Sequence, residues 1–168
     1  LKRLLLVDDT TLLLVEAPRA DQAEILLERT VAARAEHLRG VRGSIRQLLD
    51  ELRLAPELRD RLVLAVDEAC TNIIRHGYGT QREGDIALRI LRTGPMLSFE
   101  LTDSAPSIDP ARVRPRPLGE CRCGGFGIAL IDEVMDDWRI EPAKGGRGNR
   151  LILRKRIDDI GGDEGHEA

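Results

Sequence analysis

Val66-Asp67-Glu68-Ala69-Cys70-Thr71-Asn72-Ile73-Ile74-Arg75-His76-Gly77-Tyr78 is the stretch on which the fold reading turns. Just upstream, Pro56 stands where a first helical residue tolerates a missing N–H. Leu58, Leu62, Ala65, Ala69 and Ile73 then recur at spacings of three and four, which mark one face of a helix. Gly77 and Gly79 are expected to end it. Glu68 and Asn72 lie four apart, so they are neighbours at the margin of the apolar stripe, where they can line a cavity beside the core. On their own they are equally an exposed pair on a solvated face.

Working outward, Leu38, Val41, Ile45, Leu48, Leu49 and Leu52 trace an earlier amphipathic helix, and Glu24 to Val31 before it reads as a strand. Leu4 to Val7 and Leu12 to Val15 read as two short strands around Asp8-Asp9-Thr10-Thr11. Lys2 to Asp9 also resembles the opening strand of a response-regulator receiver, but nothing downstream continues that likeness. Downstream, Ile86, Leu88 and Ile90 alternate with other residues, Thr93-Gly94-Pro95 turns the chain, and Leu97, Phe99 and Leu101 face inward on a second strand. Residues 104–123 have no periodicity and contain Pro106, Pro110, Pro115 and Pro117, so a long loop is expected. Helical spacing returns at Ile128, Ile131 and Met135. Trp138 to Ile140 and Leu151 to Leu153 suggest closing strands around Lys144-Gly145-Gly146-Arg147-Gly148.

This order predicts an α/β (α+β) two-layer sandwich, with a mixed, mostly antiparallel sheet covered on one face by helices. Residues 24–157 form the expected domain, residues 1–23 an extension with possible extra strands, and residues 158–168 a polar tail that should fray. With 168 residues, one core is the expectation. Aromatic residues make up only 2%, so that core must be aliphatic. Interspersed charges with a net of −3 provide no broad basic field for a phosphate backbone, which argues against nucleic acid. Three cysteines suit a reducing, cytoplasmic setting. No apolar run approaches the ~20 residues of a bilayer span.

Asp103 continues the parity of Leu97, Phe99 and Leu101 and should point into the buried side. A buried carboxylate needs a donor. An adenine amino group would serve and would exclude guanine, whose corresponding position is a carbonyl; local backbone amides in a turn would serve as well. Gly124-Gly125-Phe126-Gly127 precedes a helix, where a phosphate can approach bare backbone amides and the helix dipole favours its charge. Glycine there is also a common turn device.

Taken in order, Glu68-x-x-x-Asn72, the strand-end Asp103 and Gly124-Gly125-Phe126-Gly127 resemble the three nucleotide-binding boxes of the GHKL (Bergerat-fold) ATPase superfamily. The stretch from Val66 to Tyr78, the run Gly124 to Leu130 and Met135-Asp136-Asp137 are most similar to the anti-sigma-factor serine/threonine-protein kinases. That resemblance implies ATP and Mg2+, with Glu68 as general base for the acceptor serine and Asn72 as the magnesium ligand. It also implies Asp103 and Asn149 at the adenine, and Gly124, Gly125, Phe126 and Gly127 around the phosphates beneath a lid from Ala105 to Cys123. A sigma factor and its antagonist are the implied partners, and a homodimer the implied assembly.

Two departures stand out. Where the family often has Asp-x-Gly-x-Gly, this chain has Asp103-Ser104-Ala105-Pro106-Ser107, and Gly148-Asn149-Arg150 stands where many relatives have Gly-Thr. If the first backbone needs positive φ or close approach, the loss of both glycines weakens nucleotide binding. An ATP-binding regulatory module is therefore one alternative. The catalytic half of a sensor histidine kinase is another, because Ala35-Glu36-His37-Leu38-Arg39 resembles a phosphoacceptor helix. His76 is read as a structural helix-end residue bonded to backbone, and Cys121 and Cys123 as incidental.

Overall fold

The computed structural model describes residues 3–8, 11–15, 22–79, 83–107, 126–143, 145 and 147–157. In chain order the elements are β1 (Arg3–Asp8), β2 (Thr11–Val15), β3 (Glu24–Ala32), α1 (Ala35–Glu51), α2 (Pro56–Asn72), β4 (Asp85–Thr93), β5 (Met96–Asp103), α3 (Phe126–Val134), β6 (Asp137–Pro142) and β7 (Asn149–Arg156). β1 and β2 pair with each other as a separate two-stranded sheet. The other five strands form one sheet in the order β3-β4-β5-β7-β6, antiparallel at every described pairing.

Sheet and core follow from alternation. Leu97, Phe99, Leu101 and Asp103 are the buried residues of β5. Register places Phe99 between Ile90 and Leu153, and Leu101 between Leu88 and Leu151, so one face of three strands is continuous and apolar. α1 contributes Leu38, Val41, Ile45 and Leu49, and α2 contributes Leu62, Ala65, Val66 and Ala69. The core is largely aliphatic, with Phe99, fully buried, and Tyr78 as its buried aromatic residues among those described. On the other face Arg150 reaches Glu100 at 2.7 Å and Glu141 at 2.9 Å, a part-buried charged cluster.

The β4–β5 hairpin turns at Gly94, whose φ of 55° is tolerated because glycine has no Cβ, as the Thr93-Gly94-Pro95 turn requires. One boundary differs from expectation. α2 gives way after Asn72 to a π-helical turn, Ile73–Tyr78, and the element closes only at Gly79, with φ 63°. The Gly79 N–H donates to the Ile74 carbonyl five residues back at 2.9 Å, the wider spacing of a π turn. Gly77 lies inside that turn. Its lack of a side chain accommodates Ala105, because a Cβ on Gly77 would sit 2.9 Å from the Ala105 methyl.

Phe99→Ala is expected to lower unfolding free energy by about 3–5 kcal/mol, from lost transfer energy and the cavity left behind. Leu64 is 53% exposed on α2. Leu64→Ala should stay within about 0.5 kcal/mol of the parent, both variants being read by urea titration.

Candidate functional site

Asp103 closes β5 with its side chain on the buried face, 7% exposed, as strand parity requires. Its Oδ1 accepts the Ala105 N–H at 2.9 Å and the Asn149 side-chain amide at 3.0 Å. Asn149 opens β7 beside it, 4% exposed, and its amide also donates to the Pro106 carbonyl at 3.2 Å. Of the two sources of satisfaction expected, the local turn amide is present, and a side chain 46 residues away adds a further donor.

Burial pushes the Asp103 carboxyl above the usual aspartate range, while the Asn149 side-chain amide, the Ala105 N–H and the Asn149 N–H pull it back. A carboxylate offers roughly four acceptor positions. Three donors from the described residues therefore fix its orientation without using its full acceptor capacity.

The missing glycines after Asp103 cost less than the sequence suggests. Neither Ser104, Ala105 nor Ser107 adopts positive φ, since Arg53 is the one non-glycine that does so among the described residues. Ala105 is buried against Gly77, so the close approach is made possible by the missing side chain on the helix. The glycine that this corner cannot lose is Gly148. With φ 88°, a Cβ there would lie 1.8 Å from the Asp103 carbonyl oxygen.

Glu68 and Asn72 sit one turn apart on α2, both half-buried. Neither makes a hydrogen bond or ion pair with another described residue, so both head groups are available to a ligand. Their neighbour Asp67 is held by Arg42 of α1 at 2.8 Å. Cys70 on the same helix is buried, and burial, reinforced by the Asp67 charge, raises its thiol to about 12, so it stays protonated and unreactive.

The end of this helix meets the end of β5 directly: the Tyr78 hydroxyl accepts the Ser104 N–H at 2.9 Å. That contact brings Tyr78, at the far end of the π turn that follows Asn72, beside Ser104. Phe126 and Gly127 are the first two residues of α3, at the expected helix start, whereas Gly124, Gly125 and most of the expected lid lie outside the described residues, as do Cys121 and Cys123. His76 corrects the sequence reading, being exposed and without a backbone bond among the described residues. Sequence reasoning assigned no role to Tyr78 or to the Gly77–Ala105 contact, because nothing in the linear pattern links residues 77 and 78 to 104 and 105.

Asp136 has a structural task. It accepts the Lys155 ammonium and the Arg156 N–H, both at 2.6 Å, and these hold its carboxyl below the usual range. It belongs to a cleft of about 790 Å3 lined by Arg53, Ala55, Leu58, Asp136, Lys155, Arg156 and Ile157. Because Arg156 pairs with Met96 at the start of β5, this cleft lies a strand length, about 24 Å, from Asp103.

A family profile described as the histidine kinase-like ATPase domain matches residues 31–155. The chain belongs to this family. Within the histidine kinase-like ATPases, it is 26% identical over 122 residues to a serine-protein kinase RsbW of Oceanobacillus iheyensis, covering 68% of this chain and 77% of that protein. It is 28% identical over 135 residues to a serine-protein kinase RsbW of Listeria monocytogenes, covering 76% and 84%. To an anti-sigma F factor of Clostridium acetobutylicum it is 27% identical over 135 residues, covering 78% and 93%. A solved structure of the RsbU and RsbW domains of a Mycobacterium tuberculosis protein contains this fold, with TM-score 0.53 and 20% identity. That match spans 80% of this chain and 34% of the longer one.

Two substitutions test this corner. An asparagine at 103 keeps an oxygen for the Ala105 N–H and the Asn149 side-chain amide and removes the buried charge. Because the folded-state pKa is raised, the folded form binds the proton more tightly than the unfolded form, so stability falls as pH rises from the ordinary aspartate value through the folded one. Asp103→Asn should therefore gain stability relative to the parent across that rise and run parallel to it above, as read by thermal melts from pH 3 to 8. Gly148→Ala should lose at least about 2 kcal/mol in urea unfolding, combining left-handed strain with backbone overlap.

Proposed function

We propose that this chain is an ATP-dependent serine/threonine-protein kinase that acts as an anti-sigma factor, phosphorylating an antagonist protein and sequestering a sigma factor. The observation that carries the reading is the buried, oriented Asp103 at a strand end, set beside a helix whose Glu68 and Asn72 head groups are unengaged among the described residues. Support comes from the family match and from relatives named serine-protein kinase and anti-sigma F factor.

The residues present fit a magnesium nucleotide. Asp103 would accept from the adenine amino group, with Asn149 fixing the carboxylate. Asn72 would offer its amide oxygen to Mg2+, a hard ion that prefers oxygen ligands and leaves most of its shell to phosphates and water. Phe126 and Gly127, which open α3, and Gly124 and Gly125 before them in sequence would present backbone amides to the phosphates. When bound, the ion supplies charge neutralisation for the transferred phosphoryl group. Glu68, one turn before Asn72, would take the proton of the acceptor serine hydroxyl.

The same proposal takes residues 24–157 as the ATP-binding domain, residues 1–23 and 158–168 as its flanks, and the cytoplasm as its location. A homodimer is part of it; β3 is an edge strand of the five-stranded sheet and carries Ile25, 49% exposed, so an edge suited to pairing exists. If the chain instead binds nucleotide only to bias a partner surface, ATP will bind tightly without phosphoryl transfer. If it serves a phosphoacceptor histidine, His37→Ala will abolish labelling.

The deciding assay mixes the protein, Mg-ATP and its cognate antagonist and measures phosphoserine. Glu68→Ala should cut the transfer rate by about 10²–10⁴, the usual worth of a general base, with ATP affinity little changed. Transfer that is equal in the parent and Glu68→Ala would remove Glu68 from the chemistry.

A further inference from the structure

Tyr78 is 5% exposed, and its hydroxyl has its full set of partners. It donates to the Asp85 carbonyl at 2.9 Å, accepts the Ser104 N–H at 2.9 Å, and lies 3.1 Å from the Ser104 hydroxyl. A phenol has one proton and two lone pairs, so these three contacts saturate it and make the Ser104 hydroxyl a donor. The ring is seated tightly. A Cβ on Gly84 would fall 2.2 Å from a Tyr78 ring carbon.

The chain of contacts runs in both directions from that oxygen. On one side, Tyr78 is the last residue of the π turn that begins directly after Asn72. On the other, it grips Ser104, which joins Asp103 to Ala105; the Ala105 N–H in turn donates to Asp103 Oδ1. The Gly77–Ala105 contact presses the same two segments together.

We propose that Tyr78 is a positioning residue which, through Ser104, locks the 103–105 turn and thereby aims the Asp103 carboxylate at the adenine of a bound nucleotide while registering it against Asn72. The inference rests on the nucleotide site proposed above and adds to it a determinant of base selectivity. Asn149 holds the carboxylate from the β7 side, whereas Tyr78 holds the backbone that carries it.

The test uses the full chain and Mg-ATP and Mg-GTP as probes, with affinities measured by titration calorimetry. Tyr78→Phe removes the hydroxyl and leaves the ring in place. The expected result is an ATP dissociation constant raised about tenfold, from a loosened turn with unpaired polar groups, and a smaller preference for ATP over GTP. Ser104→Ala, which keeps the amide bonded to Tyr78, should stay within about threefold of the parent, since it loses only one neutral hydrogen bond.

A Tyr78→Phe protein that is folded and retains the parent affinity and ATP-over-GTP ratio overturns the proposal, even if its melting temperature drops. Should that variant not fold, amide hydrogen exchange on the parent decides. Added ATP is expected to slow exchange at both Ser104 and Ala105, and unchanged rates at both would overturn the proposal. A parent protein that binds neither nucleotide defeats the site itself, and a parent that binds ATP while Tyr78→Phe behaves identically defeats only this inference.

Discussion

The structure depends on one arrangement: a carboxylate placed at the end of an otherwise apolar strand face. Leu97, Phe99 and Leu101 bury the face of β5, and strand parity carries Asp103 in after them. Desolvation opposes charge there, and the Asn149 amide is the strongest opposing influence. Burying a charge without donors would cost several kcal/mol or drive protonation. The pairing of β5 with β7, which delivers Asn149 to that corner, is therefore a condition of having an acid there at all.

Close backbone approach at the same corner is organised by glycines on the surrounding segments. Gly77 on the π turn admits the Ala105 methyl, Gly84 admits the Tyr78 ring, and Gly148 lets β7 pass against the Asp103 carbonyl. The strand end itself keeps ordinary backbone angles and can carry Ser104 and Ala105. A segment that departs from the family pattern is thus accommodated by the missing side chains facing it.

Electrostatics separate the two faces of the molecule. Part-buried ion pairs such as Arg150 with Glu100 and Glu141 occupy the sheet face away from the helices. Asp67 and Asp136 are likewise consumed by structural partners, Arg42 and Lys155. Among the acids near the helix end, Glu68 stands apart in having no such partner among the described residues.

The amino-acid sequence by itself determined the element order, the helix faces, the β4–β5 hairpin and the inward parity of Asp103. Those depend on spacings of two, three and four residues, which are local. It also marked Glu68, Asn72, Asp103 and Asn149 as the residues to watch. Only the tertiary structure decided that Asn149 grips Asp103, that the helix continues as a π turn past Gly77, and that Tyr78 meets Ser104. The Asn149 and Tyr78 contacts join residues 46 and 26 positions apart, at distances set by sheet pairing and packing, for which no local periodicity exists.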